Sequence, residues 1–182
     1  MAFSGAKRKR LSDEAALYDY AVVSLGRKMR TVAELKRLMR ARVEPGESGA
    51  TIIEAVVARL KEQKYLNDSR YAATYSQYRQ SNEKFGKRRV ISDLKTKGVH
   101  ADIIESVVTA AYEEVNEEQL ARQFLDRKRL KKPVNERESA RVFRMLVRAG
   151  FTSGTIFKIL KHWDVDDEVL TALESEADNS NA

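Results

Sequence analysis

The sequence predicts an all-α protein built from three tandem three-helix repeats that stack into an elongated or curved array. Proline occurs at only two positions, Pro45 and Pro133, in a chain of 182 residues. Apolar residues recur at the spacing of a helical turn, as they do along residues 52–60. The segment D-I-I-E-S-V-V at 102–108 nearly repeats T-I-I-E-A-V-V at 51–57, a period of 51 residues that indicates a repeat architecture.

A weaker third copy of the repeat keeps the same phase. T-I-F-K-I-L at 155–160 follows L-V-R-A-G-F at 146–151, which corresponds to L-K-T-K-G-V at 94–99. In the first copy the matching segment is L-M-R-A-R-V at 38–43, followed by an inserted turn at 44–49. Each copy begins with a helix rich in aromatic and aliphatic residues: Leu17, Tyr18, Ala21 and Leu25, then Tyr71, Ala72, Tyr75 and Tyr78, then Leu120, Ala121, Phe124 and Leu125.

These copies set the expected domain bounds. We expect a mobile basic arm at 1–10, repeats at 11–67, 68–115 and 116–163, and a mobile acidic tail at 164–182 that lies outside the folded part. One repeat of about 50 residues buries too little apolar surface to be stable alone, so neighbouring repeats should stack. A stacked array offers a long face, which suits a nucleic acid or a protein filament.

Local signals mark several helix ends. A Ser/Thr-x-x-Glu capping box is predicted at Thr31 with Glu34 and at Thr51 with Glu54, and a weaker form at Asn116 with Gln119. Gly98 and Gly150 each follow a turn that contains Lys or Arg. A glycine at such a place can take the left-handed conformation that ends a helix.

Composition narrows the function class. The net charge of +7 favours polyanionic partners or acidic surfaces. The charge is patched, since 101–121 has six acids and no base, whereas 122–148 has ten bases against three acids. No cysteine is present, which excludes disulfides and thiol chemistry. No apolar run approaches the roughly 20 residues of a membrane span, and we expect a cytoplasmic monomer.

Three segments, in the right order, resemble the RecX family of regulatory proteins. Y-L-N-D-S-R-Y-A at 65–72 resembles the family's Tyr-Leu-Asp-Asp-x-x-Phe-Ala signature. L-G-R-K-M-R-T-V-A-E-L at 25–35 and G-K-R-R-V-I-S-D-L-K-T-K-G-V at 86–99 resemble its flanking segments. The resemblance runs from about Leu17 to Trp163. Its matching residues of structural interest are Tyr65, Leu66, Asp68, Tyr71, Ala72, Gly86 and Gly98.

The resemblance implies both a fold and a function. It implies tandem three-helix units and a non-enzymatic negative regulator of homologous recombination and DNA repair. Members of the family bind RecA filaments on single-stranded DNA, occupy the filament groove, and suppress ATP hydrolysis, strand exchange and coprotease action. An alternative is a sequence-nonspecific DNA-binding repeat protein that affects RecA by competing for single- or double-stranded DNA.

Three basic clusters are candidates for filament or DNA binding: Arg27, Lys28 and Arg30; Lys87, Arg88 and Arg89; and Arg141, Arg144 and Arg148. The second cluster is at a helix start, where the macrodipole repels cations, so a binding role would explain it. The third has i, i+3, i+7 spacing on one helix face. A solvated surface is the competing interpretation for all three. Tyr78 and Phe85 could be stacking platforms beside the second cluster, whereas Tyr75 is expected in the core.

Other residues favour structure over chemistry. Asp68 fits a helix N-cap, with Tyr65 and Leu66 packed across the junction between repeats. His100 and His162 are isolated, so we predict no metal site and no cofactor. The acids at 166–168 lack an EF-hand pattern. No catalytic motif is present. The alternative of a helical nuclease is therefore supported only by scattered acidic residues.

Overall fold

The computed structural model describes residues 10, 11 and 13–179, and these residues form ten α-helices and no strand. The helices are α1 (Glu14–Arg27), α2 (Val32–Arg40), α3 (Glu47–Glu62), α4 (Asp68–Ser81), α5 (Lys87–Thr96), α6 (Ala101–Tyr112), α7 (Glu117–Arg127), α8 (Glu136–Ala149), α9 (Ser153–His162) and α10 (Asp167–Asn179). The predicted all-α class is confirmed. Among the described residues, none of the helices has the length and apolar character needed to cross a bilayer.

The described residues divide into two compact units. Unit 1 comprises the described residues up to Ala72 together with Lys95–Ile103. Unit 2 comprises Ala73–Leu94 and the described residues from Ile104 onward. The predicted basic arm at 1–10 lies outside the described residues except for Arg10, which pairs with Glu44 in unit 1.

Unit 1 is organised around α1, α2 and α3. Their facing residues are fully or almost fully buried and include Leu17, Leu35, Met39, Val56 and Leu60. The predicted capping box at α2 is confirmed, because the Thr31 hydroxyl accepts from the Glu34 amide and the Glu34 carboxylate accepts from the Thr31 amide. Local sequence therefore fixes the start of α2.

The predicted capping box at Thr51 is wrong. The helix α3 begins at Glu47, so Thr51 lies inside it and donates its hydroxyl hydrogen to the Glu47 carbonyl. Gly46 precedes the helix with a φ of 123°, a conformation that side-chain-bearing residues rarely adopt. The inserted turn thus contributes the first residues of α3, and the glycine decides where the helix begins.

The signature residue Asp68 has a different role from the one predicted. Asn67 is the residue that caps α4, since its side chain accepts from the Arg70 amide at 2.8 Å. Asp68 accepts from the Val32 amide at 2.9 Å and so caps the start of α2. Leu66 is buried in the core of unit 1, but Tyr65 is 58% exposed instead of packed. The signature joins the start of α4 to the start of α2.

We expect Asp68→Ala to lower the free energy of unfolding by about 1 kcal/mol, because the Val32 amide loses its acceptor. Hydrogen exchange should speed up at Val32 in Asp68→Ala and at Arg70 in Asn67→Ala. Asp68→Asn keeps an oxygen acceptor and is the matched control. Faster exchange at Arg70 in Asp68→Ala, with Val32 unchanged, would contradict this assignment.

Unit 2 has its core among α7, α8, α9 and α10. Phe143, Phe151, Ile156 and Leu160 are almost fully buried there. Glu117, the first residue of α7, accepts from the amide and the hydroxyl of Thr152, at 3.0 and 2.6 Å. One carboxylate thereby holds the start of α9 against the start of α7.

The predicted acidic tail is part of the fold through α10. Leu170 is fully buried and Leu173 nearly so, and both belong to the core of unit 2. The expectation that residues 164–182 lie outside the folded part is therefore wrong as far as Asn179. The high acid content obscured a helix that needs only a few apolar residues on one face to pack against α8 and α9.

Candidate functional site

The structure places the three predicted basic clusters in different units. Arg27 is the last residue of α1, and the cluster of Arg27, Lys28 and Arg30 lies in unit 1. The other two clusters both belong to unit 2. The second and third clusters therefore belong to the same compact unit, and the first cluster does not.

The third cluster forms an exposed row on α8. Arg141, Arg144 and Arg148 are exposed, whereas the residues between them, such as Val142, Phe143 and Leu146, face the core. Within the part of the chain that the structure describes, these three arginines make no side-chain hydrogen bond or ion pair. Their guanidinium groups are available to a partner.

Arg137 extends the row by one turn and was missed from the sequence. It is exposed and precedes Arg141 by four residues on the same helix. The i, i+4 spacing of Arg137 and Arg141 is present in the sequence. Arg137 was overlooked because it stands between two acids, Glu136 and Glu138. We call Arg137, Arg141, Arg144 and Arg148 the arginine row. It spans the 12 residues from Arg137 to Arg148 of α8, or about 16 Å end to end at a rise of ~1.5 Å per residue.

The start of α5 abuts the end of α8. The Gly86 amide donates to the Ala149 carbonyl at 2.9 Å, and the Arg88 amide donates to the Gly150 carbonyl at 3.3 Å. Gly150 has a φ of 90°, as predicted, and a Cβ on it would lie 2.2 Å from the Arg89 nitrogen. The second basic cluster thus begins where the arginine row ends.

This junction supplies a structural reason for cations at the start of α5. The carbonyl end of α8 carries the negative pole of its macrodipole, which favours positive charge nearby. The same carbonyls accept from amides at the start of α5, so that helix needs no acidic residue in its first turn and has none. The sequence suggested that nothing in the local helix energetics favours these cations. The structure shows that the carbonyl end of α8 does favour them.

The three residues of the second cluster differ in availability. Lys87 donates to the Thr109 hydroxyl at 3.2 Å, and Arg89 pairs with Asp93 at 3.0 Å. The Arg88 side chain is exposed and, among the described residues, forms no hydrogen bond or ion pair. Arg88 is the member of this cluster best placed to extend the arginine row.

Asp93 organises the side chains behind the second cluster. It is mostly buried and accepts from Tyr75 and Arg79, at 2.9 and 2.8 Å, in addition to pairing with Arg89. Burial and then the bond to Asp93 raise the pKa of the Tyr75 phenol. Burial alone would lower the pKa of Arg79, but its bonds to Asp93 and Tyr75 raise it overall. Arg79 and Arg89 are held within the fold.

The two aromatic residues predicted as stacking platforms, Phe85 and Tyr78, also differ in how available they are to a partner. Phe85 packs beside Phe124, with ring centroids 6.1 Å apart, and the Arg79 guanidinium lies 4.8 Å above its ring. Tyr75, which was expected in the core, is only half-buried, and its hydroxyl donates to Asp93. Tyr78 is 53% exposed and stays a candidate platform. Among the described residues, no group of three or more metal-ligating side chains comes together.

The first cluster borders a groove in unit 1. Arg27 and Lys28 are exposed at the end of α1, where the helix dipole favours cations. Arg30 is partly buried and its Nε donates to the Ser24 hydroxyl at 2.9 Å. Arg30 lines the groove together with Tyr65 and Arg70. The helix dipole of α1 therefore explains why Arg27 and Lys28 are cations. It does not explain the groove that Arg30 lines.

Comparisons with known proteins agree on one family. Residues 67–108 match the family described as RecX, second three-helix domain, which corresponds to the second predicted repeat. The regulatory protein RecX of Myxococcus xanthus is 31% identical over 169 residues, covering 86% of this chain and 90% of that protein. The regulatory protein RecX of Yersinia pseudotuberculosis is 37% identical over 108 residues, covering 58% of this chain and 57% of that protein.

Solved structures show the same fold. A crystal structure of regulatory protein RecX has a TM-score of 0.66 at 22% identity, covering 82% of this chain and 71% of that chain. The structure of RecX from Lactobacillus salivarius has a TM-score of 0.64 at 19% identity, covering 85% of this chain and 99% of that chain. At these identities the likeness concerns the helical architecture alone.

Proposed function

Because this chain belongs to the RecX family of regulatory proteins, we propose that it binds the RecA filament on single-stranded DNA and inhibits it. The activities inhibited are ATP hydrolysis, strand exchange and coprotease action. The protein acts as a cytoplasmic monomer and as a binding partner, without catalysis of its own. The observation that carries the proposal is family membership over most of the chain, together with the arginine row on α8.

The arginine row supports a polyanionic or acidic target. Its four guanidinium groups point away from the core of unit 2, and Arg88 adds a fifth cation beyond the end of α8. A filament on DNA presents phosphates and protein carboxylates, and arginine binds both through paired hydrogen bonds. A regulator bound across neighbouring filament subunits would block filament growth or the motions coupled to ATP turnover.

The proposal is tested by measuring DNA-dependent ATP hydrolysis by RecA with increasing amounts of this protein. We expect strong inhibition at amounts well below those of RecA, because one bound regulator affects a run of filament subunits. Absence of inhibition, with active RecA and intact helical protein, would overturn the proposal.

The second candidate is a sequence-nonspecific DNA-binding protein that competes with RecA for DNA. The exposed arginine row favours it, since free guanidinium groups suffice for phosphate contacts. The two functions differ in stoichiometry and salt dependence. Competition requires enough protein to coat the free DNA, and inhibition then disappears in parallel with DNA binding as salt rises.

A further inference from the structure

Unit 1 has a groove of about 270 Å³ that is separate from the arginine row of unit 2. It lies between the last turns of α1 and the segment that leads into α4. Its lining residues are Val22, Leu25, Gly26, Met29, Arg30, Tyr65, Asn67, Arg70 and Tyr71. None of these residues is acidic.

The groove exposes apolar side chains that the fold does not require at the surface. Met29 is 43% exposed and Tyr65 is 58% exposed. The backbone holds Tyr65 in place, because the amides of Tyr65 and Leu66 both donate to the Leu60 carbonyl, at 3.0 and 3.2 Å. Leu66 alone fills the core at this turn. An exposed apolar surface maintained in this way is typical of a binding site.

Two arginines at the groove are fixed but keep donors for a ligand. Arg30 donates from Nε to Ser24, and Arg70 donates from Nη2 to the Lys64 carbonyl at 3.0 Å. An arginine has five N–H donors, so most of them remain for a carboxylate. Arg27 and Lys28, next along the chain, add two more exposed cations.

We propose that this groove binds a segment of a partner protein in which one large apolar side chain is flanked by carboxylates. The volume lies below the range of about 300–1,000 Å³ found for small-molecule pockets and suits a single side chain. The aliphatic and thioether lining favours an apolar anchor, since methionine adapts its shape to such a group. The cations, with no acid among the lining residues, favour carboxylates beside that anchor.

A single nucleic-acid strand fits the groove less well. Proteins that bind single strands stack successive bases on a series of aromatic side chains. The groove has one exposed aromatic ring, that of Tyr65, while the other tyrosine that lines it, Tyr71, is buried. The inference rests on the proposed function only for the partner's identity, which would then be the protein component of the RecA filament.

The test uses methyl NMR of protein labelled at methionine. The Met29 methyl reports on the groove, Met39 on the buried core of unit 1, and Met145 on unit 2. The probe is a short capped peptide, Asp-Glu-Phe-Glu-Asp. We expect a saturable shift of the Met29 signal alone, and binding at least about tenfold weaker when alanine replaces phenylalanine or lysines replace the acids.

Gly26 provides a matched pair of variants. A Cβ added there meets no atom within 4 Å, so Gly26→Trp can extend into the groove and Gly26→Ala leaves it open. Gly26→Trp should abolish the Met29 shift while the Met39 and Met145 signals keep their positions. Gly26→Ala should bind like the unaltered protein.

Other outcomes overturn the inference. The inference fails if the Met29 signal does not shift, or if it shifts equally with the alanine peptide. It also fails if a thymidine oligonucleotide binds more tightly than the peptide. A Met29 shift on raising the protein's own concentration would indicate a second copy in the groove and would overturn it too. The titration contains no RecA, so it can fail or succeed independently of RecA inhibition. A positive titration with uninhibited RecA would sink the proposed function and leave the groove assignment standing.

Discussion

A variant with Arg88, Arg144 and Arg148 all replaced by glutamate is expected to lose inhibition of RecA ATP hydrolysis. These cations belong to one exposed surface of unit 2, and reversal converts attraction into repulsion of phosphates or carboxylates. We expect binding to RecA filaments to weaken by about 100-fold or more, which corresponds to about 3 kcal/mol. Fluorescence anisotropy of labelled filaments measures the binding, and circular dichroism checks helix content.

Bare DNA provides an independent readout of the same variant. If Arg88, Arg144 and Arg148 contact phosphates, the logarithmic slope of single-strand binding against salt should fall by about 2, because each of the three lost contacts contributes about 0.7. An unchanged slope with lost RecA inhibition would mean that these arginines meet protein carboxylates instead. Either result retains the row as a binding surface.

The matched control reverses three other exposed cations of unit 2, Arg129, Lys131 and Lys158. It changes net charge equally but leaves the arginine row intact. We expect near-normal inhibition from it. Equal losses in the two variants would show that only overall charge matters, and normal inhibition by the arginine variant would remove Arg88, Arg144 and Arg148 from the binding surface. Lys87 and Arg89 are left unaltered because both have partners within the fold.

Replacing Gly150 with alanine is expected to lower the free energy of unfolding by about 2–5 kcal/mol. The left-handed φ of 90° accounts for about 1–2 kcal/mol of this. The added Cβ would lie 2.2 Å from the Arg89 nitrogen and 2.5 Å from its Cβ, so the start of α5 must also shift, at a further cost of about 1–3 kcal/mol. Urea denaturation followed by circular dichroism measures the change.

Gly154→Ala is the control for Gly150→Ala. Gly154 lies in the same unit, has no positive φ, and a Cβ there meets no atom within 4 Å. It should be neutral or slightly stabilising, since alanine is the better helix former. A loss at Gly150 no greater than that at Gly154 would mean that the junction of α5 and α8 relaxes freely.

Much of the fold could be predicted because its signals are local or periodic. The 51-residue period placed corresponding helices correctly, and the Thr31 and Asn116 caps are present in the structure. Gly98 and Gly150 take the left-handed conformation that their positions indicated. These features depend on neighbours a few residues away, which a single sequence reveals.

Contacts between distant residues were not predictable in the same way. A carboxylate such as Asp68 can cap its own helix or another one, and the spacing of residues does not tell which. Thr51 looked like a helix start because it has the capping-box spacing to Glu54, but α3 already begins at Glu47, directly after Gly46. In α10, two buried leucines, Leu170 and Leu173, hold the helix in the core of unit 2 despite its many acids.

The candidate surface shows the same division. The exposed face of α8 follows from helical periodicity, so Arg141, Arg144 and Arg148 were placed correctly on one helix face. That α5 begins against the end of α8 was not visible, and so the charges of Lys87 and Arg89 were read as unexplained. Their partners, Thr109 and Asp93, became known only from the structure.

The second helices of the three repeats are α2, α5 and α8, and their starts differ in what they meet. The start of α5 meets the carbonyl end of α8 and carries cations. The start of α8 carries Glu136 and Glu138, and Asn135 caps it locally. Glycine occurs where the end of one second helix meets the start of another, since Gly98 approaches Ala33 as Gly150 approaches Arg89. Among relatives, a glycine at the end of a second helix should therefore mark a joined repeat, whether the start that it meets is basic, as in α5, or self-capped with an acid in its first turn, as in α2.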